Sequence, residues 1–308
     1  MPLPRVVVVT ATYRRATALA DLLASLESER PALAGVIIVD NGSSAETAAV
    51  AARAGGSVRV ISPTRNLGCG GGVAVGLREA LREPGVTHGW IFDDDAQATP
   101  GALSALLADL ERASADAAVP LVTDAGRAIG WFPGPLAPPA WNAIRSRGIT
   151  PAEFRARCGD EPVPWAWAPW PSLLVTRRAV ETVGLPRDDF WFQGEDIEWT
   201  LRITARFRGV LAPAAEARHF PPPGDRQRSR LKQAAMLQNN AYTATRLPHG
   251  RRILRHAAGN AWRFLSANGF GGGAISLLLW AHWSGAVCGR PAGAVGGDAL
   301  RREWEKLP

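Results

Sequence analysis

Along the first third of the chain, short apolar runs alternate with amphipathic stretches. Residues 6–9 are four consecutive valines, which is typical of a parallel strand covered on both faces. The next stretch places four leucines on one helical face, namely Leu19, Leu22, Leu23 and Leu26. The repeated pattern predicts strands over 5–12, 36–40, 58–61 and 89–92, and helices over 16–29, 45–54, 71–82 and 99–113. Thr99 is predicted to cap the last of these helices, with Pro100 in its first position. Strands that alternate with helices indicate an α/β fold with a mostly parallel sheet.

The pattern changes twice further along the chain. Prolines are frequent between residues 130 and 171, and tryptophans cluster there, namely Trp131, Trp141, Trp165, Trp167 and Trp170. Beyond this stretch we predict a strand over 171–175 and helices over 177–183 and 195–206. Three consecutive prolines at 221–223 precede three predicted helices, over 226–246, 252–266 and 274–287. We therefore expect an α/β domain over 1–222 and a helical region over 223–308.

The composition is that of a globular chain, with 308 residues, 46% hydrophobic and 20% charged. The net charge is +7, and all but two of the 35 basic residues are arginines. Arginine suits phosphate recognition, although a GC-rich genome explains the same excess. The three cysteines form no CxxC pair, which argues against a disulfide framework or a zinc site and favours a reducing, cytoplasmic setting. We expect no signal peptide, no spanning helix and no nucleic-acid partner.

Polar residues follow the predicted strands at the points where the strands end. They are Thr10 and Thr12, Asp40 and Asn41, Arg65 and Asn66, and the triplet 93–95. Ligands of open α/β sheets bind outside the carboxyl ends of the strands. The sequence therefore predicts a polar ligand-binding rim along this edge of the sheet.

Two features of this rim suggest a phosphate-bearing ligand and a metal ion. The triplet Asp93-Asp94-Asp95 offers the carboxylate oxygens that hard divalent cations prefer, and adjacent carboxylates repel one another without a counter-charge. A solvated acidic turn is the alternative, but the position at the rim favours a cation. Residues 66–76 contain five glycines, which let a backbone approach a ligand or form a tight turn, with Gly76 serving helix packing. Because these glycines follow the third strand, a dinucleotide cofactor is not expected.

Two later motifs are candidates for catalysis. Gly194-Glu195-Asp196 stands at a predicted helix start, where its carboxylates either cap the helix or include a general base aimed at the cleft. His219 is either structural or a nitrogen ligand that completes the metal site. Among the tryptophans, Trp191 is the best candidate for stacking on a sugar, and we expect the others to pack in the core.

Taken in order, these motifs resemble the inverting family 2 glycosyltransferases of the GT-A fold, over roughly residues 5–222. The shared features are Thr-x-Thr-Tyr-Arg after the first strand, Val39-Asp40-Asn41, Asn66-x-Gly-x-Gly-Gly, the acidic triplet and Gly194-Glu195-Asp196. The stretch that begins at Arg65, together with a histidine 23 residues after Asp196, is most similar to galactofuranosyltransferases and rhamnosyltransferases of bacterial cell-wall assembly.

The resemblance implies a role for each matching residue. The nucleoside would contact Thr10, Ala11, Arg14 and Asp40. The diphosphate would lie near Arg65, Asn66 and Gly70, and the ribose and donor sugar near Asp93 and Asp94. Asp95 and His219 would bind Mn²⁺ or Mg²⁺. Asp196 would be the base, with Glu195 as its substitute, and the acceptor would contact Trp191 and Trp199.

The implied reaction transfers galactofuranose or rhamnose from a UDP- or dTDP-sugar to a glycan or polyprenyl-linked acceptor. Such acceptors imply peripheral contact with the inner face of the membrane. Arginines beside Trp262, Trp280 and Trp283 in the helical region fit this expectation, as does plain packing on the first domain. Where many relatives have Tyr-x-x-Arg-Asn, this chain reads Gln238-Asn239-Asn240-Ala-Tyr242, so acceptor recognition there is expected to differ.

Two other functions remain alternatives. A nucleotidyltransferase also uses a parallel sheet and metal-binding carboxylates, but it would carry a glycine-rich basic loop after the first strand, where this chain has Thr10-Ala-Thr-Tyr-Arg-Arg15. A non-catalytic nucleotide-sugar-binding module would not need Asp95, Asp196 and His219 together.

Overall fold

The computed structural model describes residues 3–136, 139–144, 148–190, 193–220 and 230–289. Within these residues the chain forms a ten-stranded sheet. The strands are β1 (Val6–Thr12), β2 (Leu33–Asp40), β3 (Val58–Ile61), β4 (His88–Asp93), β5 (Ala96–Ala98), β6 (Ala117–Asp124), β7 (Ile129–Trp131), β8 (Val163–Trp165), β9 (Ser172–Thr176) and β10 (Gly209–His219).

The main path of the sheet runs β3-β2-β1-β4-β9-β6-β10-β5, with β7 beside β6 and β8 beside β10. The first four strands on this path are parallel, and β6 pairs in parallel with β10. Strand β9 is antiparallel to both of its neighbours, and β5 is antiparallel to β10. The prediction of an α/β fold with a mostly parallel sheet is confirmed. The antiparallel strands were not part of that prediction.

Helices cover the sheet and continue beyond it. The α-helices are α1 (Ala16–Ser25), α2 (Ala45–Ala54), α3 (Gly68–Leu81), α4 (Ala102–Arg112), α5 (Ala140–Ile144), α6 (Pro151–Cys158), α7 (Arg177–Val183), α8 (Glu195–Thr204), α9 (Arg230–Arg246), α10 (Leu254–Asn268) and α11 (Gly272–His282). Short 3₁₀ turns occupy Arg30–Ala32 and Gly250–Ile253, and a π-helical turn follows α11 at Trp283–Val287. None of the helices in these ranges is long and apolar enough to cross a membrane.

Several features differ from the sequence-based prediction, and two of them bear on the site. Strands β6 and β10 were not predicted, because both contain proline and several alanines, which are weak strand formers. The register of β10 shifts between Ala212 and Glu216, which accommodates Pro213. The predicted cap at Thr99 is wrong, since α4 begins at Ala102 after Gly101 in a left-handed conformation. The Thr99 hydroxyl instead donates to the carbonyl of Glu216, at 2.9 Å.

Strand β1 lies at the centre of two apolar layers. Val7 and Val9 pack into the layer on one face of the sheet, and Val6 and Val8 pack into the layer on the other. On the first face α3 approaches the strand closely, because a Cβ on Gly76 would stand 2.4 Å from Val9 Cγ1. Gly76 therefore serves helix-to-strand packing, which positions the start of α3 beside the ends of β1 and β2.

The C-terminal helices pack on one another and on α8. Leu237 of α9, Phe264 of α10 and Ala281 of α11 share a buried cluster. A second cluster joins Ile253 to the α8 residues Ile197 and Leu201. The predicted domain boundary near residue 222 lies outside the described residues, so the division at that point stays a prediction.

Candidate active site

A cleft of about 1140 Å³ opens at the carboxyl ends of β1, β2 and β4. Its floor is formed by the turn after β1, the acidic triplet and the start of α3. The start of α8 forms one side, and α9 and α10 close the far end. The cleft is thus built jointly by the sheet and the C-terminal helices.

The acidic triplet follows β4 and is held by residues of the turn after β1. The Thr12 hydroxyl donates to Asp94 Oδ2 at 2.6 Å. The guanidinium of Arg15 spans two members of the triplet, with distances of 2.7 Å to Asp94 Oδ1 and 2.7 Å to Asp95 Oδ2. Because β1 and β4 are parallel neighbours, these contacts follow directly from the strand pairing.

His219 reaches the triplet through a strand pairing that the sequence did not predict. Strand β5 begins directly after Asp95, and its Ala96 pairs with His219 at the end of β10. His219 Nε2 lies 3.1 Å from Asp95 Oδ1 and 3.9 Å from Asp93 Oδ2. The His219 Nδ1 atom is buried and has no partner among the described residues. Trp131 contacts the imidazole edge-on, at 4.9 Å between ring centroids.

Burial and mutual repulsion shape the titration of these acids. Burial and the charge of Asp95 raise the pKa of Asp93 well above its usual value, and burial raises the pKa of Asp94 to about 6 against the opposing charge of Arg15. Burial also acts on Asp95, but the hydrogen bond and charge of His219, together with Arg15, lower its pKa. The positive charges of Arg15 and His219 are therefore too few to balance the negative charges of the three carboxylates.

The residues present fit a divalent cation. Asp93, Asp95 and His219 offer ligand atoms that all lie within 4.8 Å of one another. Carboxylate oxygens and one imidazole suit Mn²⁺ or Mg²⁺. Burial alone would lower the pKa of His219, but the hydrogen bond to Asp95 raises this pKa overall. Because an imidazole must be neutral to bind a metal, a cation that binds here would displace a proton from His219. The cluster includes Asp93, which the resemblance had assigned to the sugar end of the donor.

The acidic pair at the start of α8 lies elsewhere in the same cleft. Glu195 and Asp196 both line it, and Glu195 is buried whereas Asp196 is half-buried. Burial raises the pKa of Glu195 to about 8, helped by the charge of Asp196. Burial also raises the pKa of Asp196 to about 6, against the backbone amides that donate to it. The amide of Ile197 donates to Asp196 Oδ1 at 2.7 Å. Both acids therefore have a raised pKa, and Asp196 is the more exposed of the two.

The donor-binding residues implied by the resemblance fall into two groups. Those that line the cleft are Ala11, Arg14, Asn66, Asp93 and Asp94. Those outside its lining are Thr10, Asp40, Arg65 and Gly70. Asp40 accepts from the backbone amides of Gly42 and Ser44 and holds the turn after β2. A Cβ on Gly70 would stand 2.7 Å from the carbonyl oxygen of Arg187, so this glycine is needed for packing.

One predicted acceptor contact needs correction. Trp199 is fully buried, its Nε1 donates to the carbonyl of Gly184 at 2.8 Å, and its ring packs edge-on against Trp170. Its apolar side chain completes the core beneath the cleft instead of facing an acceptor. Trp191 lies outside the described residues.

Sequence reasoning missed several residues of the cleft. Arg15 was available as the second arginine of Arg14-Arg15, but its contacts with the triplet depend on the pairing of β1 with β4. Tyr13 lines the cleft next to Arg14, whose guanidinium lies 5.2 Å from the Tyr13 ring centroid. Asn41, which the sequence placed at the rim, lines the cleft as predicted and exchanges hydrogen bonds with Leu67 and Gly68, which fixes the start of the glycine-rich helix.

Comparison with known proteins identifies similar molecules. The family model "Glycosyl transferase family 2" matches residues 7–167. Galactofuranosyltransferase GlfT1 of Mycobacterium tuberculosis is 27% identical over 198 residues, which cover 63% of this chain and 63% of that protein, less than two thirds of its length.

Solved structures show the same fold. The mannosyltransferase PcManGT from Pyrobaculum calidifontis, in complex with GDP-Man and Mn²⁺, has a TM-score of 0.58 and 19% identity, covering 98% of this chain and 83% of that one. S. aureus TarS 1-349 in complex with UDP-GlcNAc has a TM-score of 0.58 and 14% identity, covering 90% and 79%.

The cluster around Asp95 generates a test of metal binding. We expect Mn²⁺ to tighten the binding of UDP to the wild type. Asp95→Ala should reduce that gain in affinity by at least about 10-fold, because loss of even a residue that only supports a metal ligand lowers metal affinity by about 10- to 100-fold. Calorimetric titration of UDP with and without Mn²⁺ measures the effect. Asp21→Asn, on the exposed face of α1, is the matched control. An Asp95→Ala protein that keeps the full Mn²⁺-dependent gain contradicts the assignment.

Proposed function

Because this chain belongs to glycosyltransferase family 2, we propose that it transfers galactofuranose or rhamnose from a UDP- or dTDP-sugar to a glycan or lipid-linked glycan, with inversion at the anomeric carbon. One observation carries the proposal: a single cleft holds the cluster of Asp93, Asp95 and His219 and also the carboxylate of Asp196. The similarity to a galactofuranosyltransferase supports the choice of sugar.

The donor would bind across the turn after β1 and the start of α3. Ala11 and Arg14 would contact the nucleoside, and Asn66 would lie near the diphosphate, in front of the N-terminus of α3, which favours anions. Asp95 and His219, together with Asp93, would hold Mn²⁺ or Mg²⁺. When bound, the cation stabilises the negative charge that develops on the leaving diphosphate. Thr10 and Asp40 would act from behind the cleft by holding its lining in place.

Asp196 is the proposed general base. Asp196 is half-buried and backbone amides oppose the rise of its pKa, whereas Glu195 is buried and burial raises its pKa to about 8, so Asp196 is the better placed of the two to accept a proton. Asp196 would take the proton of the acceptor hydroxyl as the hydroxyl oxygen attacks the anomeric carbon. Attack from the face opposite to the leaving diphosphate inverts that carbon.

The two alternative functions have less support. A nucleotidyltransferase would carry a glycine-rich loop after β1, where this chain has none, and a non-catalytic module would not need Asp95, Asp196 and His219 in one cleft. Turnover of a sugar donor, measured as nucleotide release and glycoside formation, separates the three.

The assignment of the base is tested by two matched substitutions. Asp196→Asn keeps the shape and removes the basicity, so we expect turnover to fall by about 10²-fold or more with donor affinity retained. Glu195→Gln mimics the neutral state of Glu195 at pH 7 and should retain most of the activity. Because the ionised form of Asp196 is the active one, the wild-type rate should rise as the pH increases through about 6. Measurements use UDP-galactofuranose and dTDP-rhamnose with Mn²⁺. Full turnover in Asp196→Asn, or a larger loss in Glu195→Gln, contradicts the assignment.

We further propose that the protein is cytoplasmic and makes peripheral contact with the inner face of the membrane through its C-terminal helices. Several large apolar side chains there are exposed, namely Trp262, Phe270, Leu279, Trp280 and Trp283. Exposed arginines accompany them at 251, 252, 255 and 263. Leu278 instead packs inward against the cluster around Phe264. Tryptophans at the lipid boundary and arginines on anionic headgroups suit an interfacial surface.

Co-sedimentation with liposomes tests this contact. We expect binding to vesicles that contain anionic lipid, weaker binding at high salt, and weaker binding of a Trp262→Ser/Trp283→Ser double variant. Leu3→Ser removes an exposed apolar side chain at the other end of the chain and is the control. Absence of wild-type binding to every vesicle at low salt contradicts the proposal.

A further inference from the structure

The stretch 238–242 of α9, where this chain departs from many relatives, is fixed on two sides. Gln238 Nε2 donates to Ser284 Oγ at 2.8 Å, in the π-helical turn after α11. Asn239 Nδ2 donates to the carbonyl oxygens of Gln193, at 2.7 Å, and Phe190, at 3.2 Å. Gln238 thus fastens α9 to the turn after α11, and Asn239 fastens it to the segment that leads into α8. The position of the third amide, Asn240, is set by them.

Asn240 lies beside the start of α8. A Cβ placed on Gly194 would stand 3.3 Å from Asn239 Cβ and 3.8 Å from Asn240 Oδ1. Gly194 directly precedes Glu195 and Asp196, and all three line the cleft together with Asn240. Asn240 is therefore a neighbour of the proposed base, on the side that α9 contributes.

The Asn240 side chain is 2% exposed, and its Nδ2 has no hydrogen-bond partner among the described residues. Burial of an unpaired amide is unfavourable, and native proteins nearly always satisfy such groups. A second donor on the cleft wall, Trp167 Nε1, is likewise buried and unpaired. Two unpaired donors on the wall of one cleft indicate a ligand that supplies acceptor oxygens.

Helices α9 and α10 bring several donors and no acid to the cleft. Neither α9 nor α10 has an aspartate or glutamate. Asn260 and Arg263 of α10 line the cleft, and so does His256, whose pKa burial lowers to about 4, so that it is neutral. Trp167 is held against this wall by its backbone pairing with Gly134 and by edge-on contact with His256. Donors beside aromatic rings are the groups that bind sugar hydroxyls and ring oxygens.

We propose that Asn240 determines acceptor specificity: its Nδ2 donates to an oxygen of the acceptor sugar next to the hydroxyl that Asp196 deprotonates, and Trp167 contributes a second donor to the same subsite. The inference rests on the proposed transferase function and deepens it, because it assigns the acceptor subsite to α9 and α10. The donor would lie at the other end of the cleft, so acceptor and donor binding should respond separately to changes at Asn240.

Substitution of Asn240 tests the proposal. The probes are octyl β-D-galactofuranoside and octyl α-L-rhamnopyranoside as acceptors, with UDP-galactofuranose and dTDP-rhamnose as donors. Asn240→Leu removes the donor group, so we expect the acceptor KM to rise by about 10-fold, the scale of one lost hydrogen bond. The donor KM and the slow hydrolysis of donor by water should stay unchanged. Asn240→Asp keeps the side-chain size and should raise the acceptor KM as well, and its added charge should move the pH profile to higher pH.

Thr245→Val is the matched control, since Thr245 lies on α9 outside the cleft and its hydroxyl donates within the helix to Ala241. An unchanged acceptor KM in both Asn240 variants overturns the inference. Donor hydrolysis by a wild type that transfers to neither glycoside also overturns it, because the subsite then binds no sugar acceptor. A wild type that neither hydrolyses nor transfers overturns the proposed function, and the inference with it.

Discussion

The repulsion among three consecutive carboxylates at the end of β4 is the constraint on which the rest of the site depends. Asp94 and Asp95 are buried and Asp93 is half-buried, so water screens their charges poorly. The protein supplies part of the counter-charge through Arg15, which bridges two of them, and through His219. Both contacts depend on strand pairing, β1 with β4 in one case and β5 with β10 in the other. A divalent cation would supply the remainder, which ties the architecture of the sheet to a metal-dependent reaction.

The cleft joins parts of the chain that are far apart in sequence. The sheet contributes the acidic cluster, the glycine-rich start of α3 lines the cleft beside it, and α8 contributes the carboxyl pair Glu195 and Asp196. The same burial acts on both members of that pair, but it raises the pKa of Glu195 further than that of Asp196, which leaves one base near neutral pH. Helices α9 and α10 close the cleft with amides and aromatic rings. If the proposed function is correct, donor and acceptor meet in this cleft between the acidic cluster and the carboxyl pair of α8.

Much of this arrangement could be predicted from local pattern, and the remainder depends on long-range contacts. The valines of β1 and the polar residues after each strand predicted the parallel half of the sheet and its rim. Strands β6 and β10 contain too much alanine and proline to be recognised locally, so the place of His219 beside Asp95 was implied by the family resemblance and not by the local pattern. Thr99 has the chemistry of a cap but bonds to the neighbouring strand, and Trp199 has the chemistry of a sugar platform but fills the core. A residue type indicates what a side chain can do, and tertiary packing decides whether it does so.

In this structure the negative charge of the acidic triplet calls for a divalent cation held by Asp95 and His219. The most direct measurement is anomalous diffraction at the manganese absorption edge from crystals grown with UDP and Mn²⁺. The account predicts one strong peak about 2.0–2.2 Å from an Asp95 oxygen and from His219 Nε2, with the diphosphate on its open side. A manganese peak that contacts neither residue, or UDP bound in the cleft with no manganese beside it, would contradict the account.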